Sequence, residues 1–166
     1  LCKKVLLPLG IAFKAADGGD KLPFSDQSFD IVTNRHGDYD AAELQRVLKS
    51  DGLFLTQQVG AENDRELVEL LLPQLTEVPY PKQYLDVKKA EFLEHGFDIL
   101  ESGEVRRPIR FFDVGALVWF ARIIEWEFPG FSVESCFEHL LEAQKRIERD
   151  GLLEGSIHRF YIVAKK

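Results

Sequence analysis

His36 is a candidate for moving a proton, and no side chain in the sequence declares itself catalytic. It closes the run Asn34-Arg35-His36 and is followed by Gly37, Asp38, Tyr39 and Asp40. An imidazole titrates near neutrality, so it can serve as general base for an oxygen or nitrogen nucleophile. A solvated loop histidine fits the same position. His36, Asp38, Asp40 and Glu43 lie close in sequence, but no two of them have a recognised ligand spacing, so no metal is expected. Nucleophilic hydrolysis lacks a constellation: the sequence has no GxSxG elbow, and neither Cys2 nor Cys136 has a nearby histidine.

These residues need elements to hold them. Alternation over 11–15 predicts a short strand that ends in the turn Asp17-Gly18-Gly19. Residues 29–34 (FDIVTN) read as a second, more continuously apolar strand of the buried, central kind. That places Asn34, Arg35 and His36 at its carboxyl end, where ligands bind in open α/β sheets. Asp40 and Glu43 have capping-box spacing and predict a helix over about 41–49, stopped at Ser50-Asp51-Gly52. A strand follows over 53–59 (LFLTQQV), and Asn63 with Glu66 repeats the capping pattern ahead of a helix ended by Pro73. Asp86 caps a further helix to Gly96, and a strand runs from 97 to about 105. Residues 108–155 break the rhythm as a helical, lid-like insertion, with an aromatic segment followed by an amphipathic helix using Val133, Phe137, Leu140 and Ile147. Residues 156–164 form the last strand, with Phe160, Ile162 and Ala164 on one face. Alternating strands and helices with short links predict a mostly parallel, doubly wound α/β sheet with helices on both faces.

Composition narrows the class. The 166 residues suit one domain, and 30% charged with 45% hydrophobic residues is an ordinary globular balance. The net charge of −7 repels a phosphate backbone, so no nucleic-acid partner is expected; Arg106, Arg107 and Arg110 read as a solvated strand edge. Two cysteines at unrelated positions fit a reduced, cytoplasmic protein. The longest nearly uncharged apolar run, 114–121, falls short of the roughly 20 residues that span a bilayer, so no membrane association is expected.

Two stretches in this order, LPFSDQSFDIVTNRH at 22–36 and RVLKSDGLFLTQQVG at 46–60, resemble the small-molecule group of class I methyltransferases. The resemblance implies a Rossmann-like fold, S-adenosylmethionine as cofactor and methyl transfer to a small or medium-sized molecule. It implies that Asp17 accepts from the adenine amino group, with Asp20 as rival because the interval to Leu22 is one residue longer than usual. Gly18 would offer its backbone amide, and Leu22 and Phe24 apolar contact. Asn34, Arg35 and His36 would border the methionine half, and Tyr39 and Gln57 would meet the substrate. Gln57 and Gln58 point to opposite sides of their strand, so only one can face the cleft. Asp30 belongs to the motif, though an acid at a strand start more readily satisfies local amides. The family's glycine-rich cofactor loop would precede Leu1, and Gly18-Gly19 lacks the third glycine and helix start to replace it. The rival expectation is therefore a non-catalytic binding or dimerisation module, self-associating through an exposed sheet edge.

Overall fold

Apolar alternation and helix stops place four strands and six α-helices along the chain, described over residues 2–15 and 21–166 in a computed structural model. In order they are α1 (Cys2–Leu6), a short 3-10 turn (Leu7–Leu9), β1 (Phe29–Arg35), α2 (Ala41–Val47), β2 (Leu48–Val59), α3 (Arg65–Leu71), α4 (Leu85–Glu94), β3 (Asp98–Phe111), α5 (Val114–Ile123), α6 (Phe137–Asp150) and β4 (Leu153–Lys165). The strands form one sheet in the order β1-β2-β4-β3. Gly60 N–H donates to the His158 carbonyl and Lys166 N–H to the Gly52 carbonyl. Numbers therefore fall along β4 as they rise along β2, which makes that pair antiparallel.

Several expectations are corrected. Residues 11–15 form no strand, and Ile11 and Phe13 remain exposed. Alternation supplies a face, but a strand also needs a neighbour's backbone groups, and none pairs with it among the described residues. β1 is an edge strand, not a central one, and Ile31 is 56% exposed. Gly52 does not provide a left-handed exit; Asp51 takes the positive φ of 65°. Gly52 is needed for a different reason, because a Cβ there would stand 2.9 Å from the Lys49 carbonyl oxygen. β3 runs on to Phe111, past the expected end near Val105, and its Pro108 is tolerated because β3 lies at the sheet edge.

Helix termini follow the sequence signals unevenly. The Asp40 carboxylate accepts from Glu43 N–H at 2.8 Å and caps α2 as expected, while Glu43 is engaged elsewhere. Asp64, at φ 55°, occupies the N-cap of α3 without a side-chain cap, so the Asn63 and Glu66 pattern does not act as a capping box. Asp86 lies inside the first turn of α4 rather than before it. Past that helix Gly96, at φ 76°, donates to the Leu93 carbonyl and Phe97 N–H to the Phe92 carbonyl, closing its carboxyl end.

The chain divides into two compact units. The first comprises Leu1–Thr56, Lys89–Glu101 and Ile162–Lys166. Its described part is centred on Leu44, Val47, Leu48, Phe54, Phe92 and Phe97. Tyr39 joins that core: its ring lies 5.2 Å from Phe54 and 5.5 Å from Phe92, and Phe92 meets Phe97 edge-on at 5.3 Å.

The second unit comprises Gln57–Lys88 and Ser102–Tyr161. One apolar cluster joins Leu67 and Leu71 of α3, Leu117 and Ala121 of α5, and Leu140, Ala143 and Ile147 of α6, and includes the buried thiol Cys136. Of the aromatic segment, Phe111, Phe120 and Phe128 pack against one another, while Phe112, Trp119 and Trp126 stand exposed on the outside. Phe137, expected on the buried face of α6, is 53% exposed.

Candidate functional site

The turn at 22–24 and the helix carrying Arg46 are joined by two side chains, Arg46 and Glu43. Arg46 Nε and Nη2 donate to the two Glu43 carboxylate oxygens at 2.8 Å, a bidentate pair one helical turn apart. The remaining donors reach the Leu22 carbonyl at 3.0 Å, and the Phe24 carbonyl and Asp26 carboxylate at 2.8 Å. Glu43 completes the loop by accepting from Leu22 N–H at 2.9 Å. Five guanidinium N–H groups thus find five oxygens, which a lysine could not reproduce. Arg46 holds the Glu43 carboxyl down to about 2 and also lowers that of Asp26.

This clamp shapes the turn. Backbone polar groups of Leu22 and Phe24 are turned towards α2, while their side chains stay half-buried. The Phe24 ring meets Phe29 edge-on at 4.8 Å, and Lys14 Nζ lies 4.8 Å from the Phe24 centroid. Asp17 and Gly18, with the rival Asp20, lie outside the described residues.

At the end of β1 a second piece is ordered by Asn34. Its amide nitrogen donates to the Asp38 carbonyl at 3.4 Å, and its amide oxygen accepts from the Thr56 hydroxyl at 3.2 Å, tying the turn after β1 to β2. His36 adopts φ 55°, a left-handed conformation uncommon for a residue with a Cβ. Arg35 and His36 are exposed.

The other sequence-derived candidates divide by environment. Asp30 is exposed and pairs with Lys49 Nζ at 2.8 Å, which, together with a hydrogen bond from its own backbone, lowers its pKa. Burial raises the Tyr39 pKa, as its place among Phe54 and Phe92 dictates. Gln57 and Gln58 belong to the second unit, Gln58 buried and Gln57 partly exposed. Asp38 is exposed, while Asp40 and Glu43 are committed to the cap and the clamp.

Comparison with solved structures then places this arrangement. A methyltransferase candidate from Bacillus halodurans matches 99% of the chain with a TM-score of 0.58 at 18% identity, over 86% of its own length. The YcgJ protein of Bacillus subtilis matches 99% of the chain with a TM-score of 0.54 at 21% identity, over 76% of its length. The fold is that of the class I methyltransferases. A [4+2]-cyclase, SpnF, shares it at a TM-score of 0.50 and 16% identity, with the chain spanning 59% of its length. The methyltransferase fold therefore does not by itself fix the chemistry. No family model matches the sequence, and no curated protein is a significant match to it.

Sequence reasoning missed two groups of residues. Arg46 enters the sequence reading only through its motif, although its spacing of three from Glu43 is that of a helical ion pair. The second group lies around His158, which is fully buried in the second unit. Its Nδ1 accepts from Glu62 N–H at 3.2 Å, so its Nε2 carries the hydrogen donated to Glu104. Both ring nitrogens are occupied, and His158 is a structural rather than a proton-transfer histidine. Its position on the same alternating face as Phe160, Ile162 and Ala164 was the available signal.

Proposed function

We propose that the chain carries out S-adenosylmethionine-dependent methyl transfer to a small or medium-sized molecule. The observation that carries this reading is the 22–24 turn, clasped by Arg46 and Glu43 within a methyltransferase fold that matches 99% of the chain. The clamp engages the Leu22 N–H and the Leu22 and Phe24 carbonyls and leaves the half-buried Leu22 and Phe24 side chains as apolar surface, which fits a flat purine.

Bound S-adenosylmethionine supplies a methyl group on a cationic sulfonium, and most of the acceleration then comes from positioning. In this reading Asp17 and Gly18 hold the adenine edge. Asn34, Arg35 and His36 border the methionine half. His36 takes the proton that an oxygen or nitrogen acceptor must lose.

Calorimetric titration with S-adenosylhomocysteine tests it. Saturable binding is expected, weakened about tenfold in Phe24→Ala by loss of apolar and stacking contact. Absence of binding both to this chain and to any longer form of the encoded protein would sink the reading. If the cofactor binds, His36→Ala should lower turnover by a larger factor than it weakens that affinity.

A second reading, a non-catalytic binding or dimerisation module, is favoured by the exposed edge strand β1 and by Leu7, Leu9 and Ile11, which are 49%, 69% and 48% exposed. Self-association without cofactor binding would select it.

A further inference from the structure

The second unit buries two carboxylic acids beside one amide. Asp64, at the start of α3, is 2% exposed, and Glu127, in the turn after α5, is 5% exposed. The Asn63 side-chain nitrogen donates to Asp64 Oδ2 at 2.5 Å and to Glu127 Oε1 at 3.4 Å. The Asn63 oxygen is fixed from the other side by His158 N–H at 3.1 Å and Arg159 Nη1 at 2.5 Å. The amide therefore cannot flip without losing both donors, and its NH2 must serve both acids. Asp64 Oδ1 is buried with no hydrogen-bond partner among the described residues.

One cation cannot balance this arrangement. Among the described residues Arg159 is the cation acting on both acids, while Glu66 of α3 adds a further negative charge beside Asp64. His158 is committed to Glu62 and Glu104. Two ionised carboxylates would thus share one bridging amide and one guanidinium out of water, with one oxygen unpaired. We infer that Asp64 and Glu127 form a proton-sharing pair that fastens the turn at 124–131 to the start of α3 while a proton is bound and loosens it when both acids ionise.

Burial pushes Asp64 up to about 6 and Glu127 up to about 7, in each case against the pull of Asn63 and Arg159. The two titrate as a coupled pair. Since both folded values lie above the ordinary carboxylate range, the folded state binds protons more tightly than the unfolded chain. The pair's contribution is then complete below about pH 4 and is lost as pH rises through 6 to 7. The inference stands apart from the methyl-transfer reading and needs no cofactor.

Hydrogen exchange of the 124–131 amides, corrected for its intrinsic dependence on pH, is expected to quicken between pH 5 and 8, and to show no such change in Glu127→Gln. The thermal midpoint should fall between pH 5 and 8 by roughly 5–10 °C more in the parent than in Glu127→Gln or Asp64→Asn. Asparagine tolerates the left-handed backbone at 64, so the second variant keeps the turn. Equal pH slopes in parent and variants would overturn the inference. If neither variant folds, exchange in the parent decides, and a corrected rate for 124–131 that is flat from pH 5 to 8 refutes it.

Discussion

Arg46 does with one side chain what a longer loop would need several hydrogen bonds to do. Its bonds to Glu43, Asp26 and the 22–24 carbonyls order a turn that has no regular secondary structure of its own. Arg46→Lys keeps the charge but loses the fork, and should behave more like Arg46→Ala than like the parent. Trypsin cleavage after Lys21 should quicken by about tenfold in both, because local opening then costs less. Unchanged cleavage would show that the turn is held by other means. The acid side has the opposite sign from the buried pair: Glu43 is depressed to about 2, so its contribution is present above the ordinary carboxylate range and is lost as pH falls towards that value. At this scale the sequence was a partial guide. The motif pointed to Leu22, Phe24 and Asn34, but the partners of Arg46 and His158 come from up to 96 positions away, and local spacing cannot announce them.

Elements were legible where a local rule suffices. Asp40 caps α2, Gly96 closes α4, and alternation over 156–164 gives the buried face of β4. They were misread where the outcome depends on a neighbour. Residues 11–15 alternate but find no partner strand among the described residues, and β1 has a mixed exposure pattern that its apolar letters concealed. The tightest approach between strands is also invisible to periodicity. A Cβ at Gly60 would lie 2.2 Å from the His158 ring, where β2 and β4 meet. Gly60→Ala should destabilise by about 1–3 kcal/mol through overpacking, read as a lower urea midpoint. His158→Ala should recover part of that loss in the double variant, and strictly additive effects would show that the ring is not the obstacle.

For the whole molecule, the resemblance read from two short stretches is met by the fold over 99% of the chain, although identity to the matching structures is only 18–21%. Sheet order and helix placement tolerate such divergence because they depend on which faces are apolar rather than on particular residues. Chemistry does not survive on those terms, as the fold of a cyclase shows. The exposed edge gives a prediction at this scale: the chain should associate as its concentration rises. Ile31→Lys on β1 should shift sedimentation towards the monomer by placing a charge where another strand would pair. A monomer at all concentrations for both proteins would exclude that contact.

The two thiols differ as much as thiols in one chain can: Cys2 is exposed, and Cys136 is 1% exposed in the cluster built from α3, α5 and α6. A thiol reagent must modify the first at once and wait for the second until that cluster parts. The chain carries its own stopwatch for the breathing of its interior, with the starting signal on the surface and no residue needing to be introduced to read it.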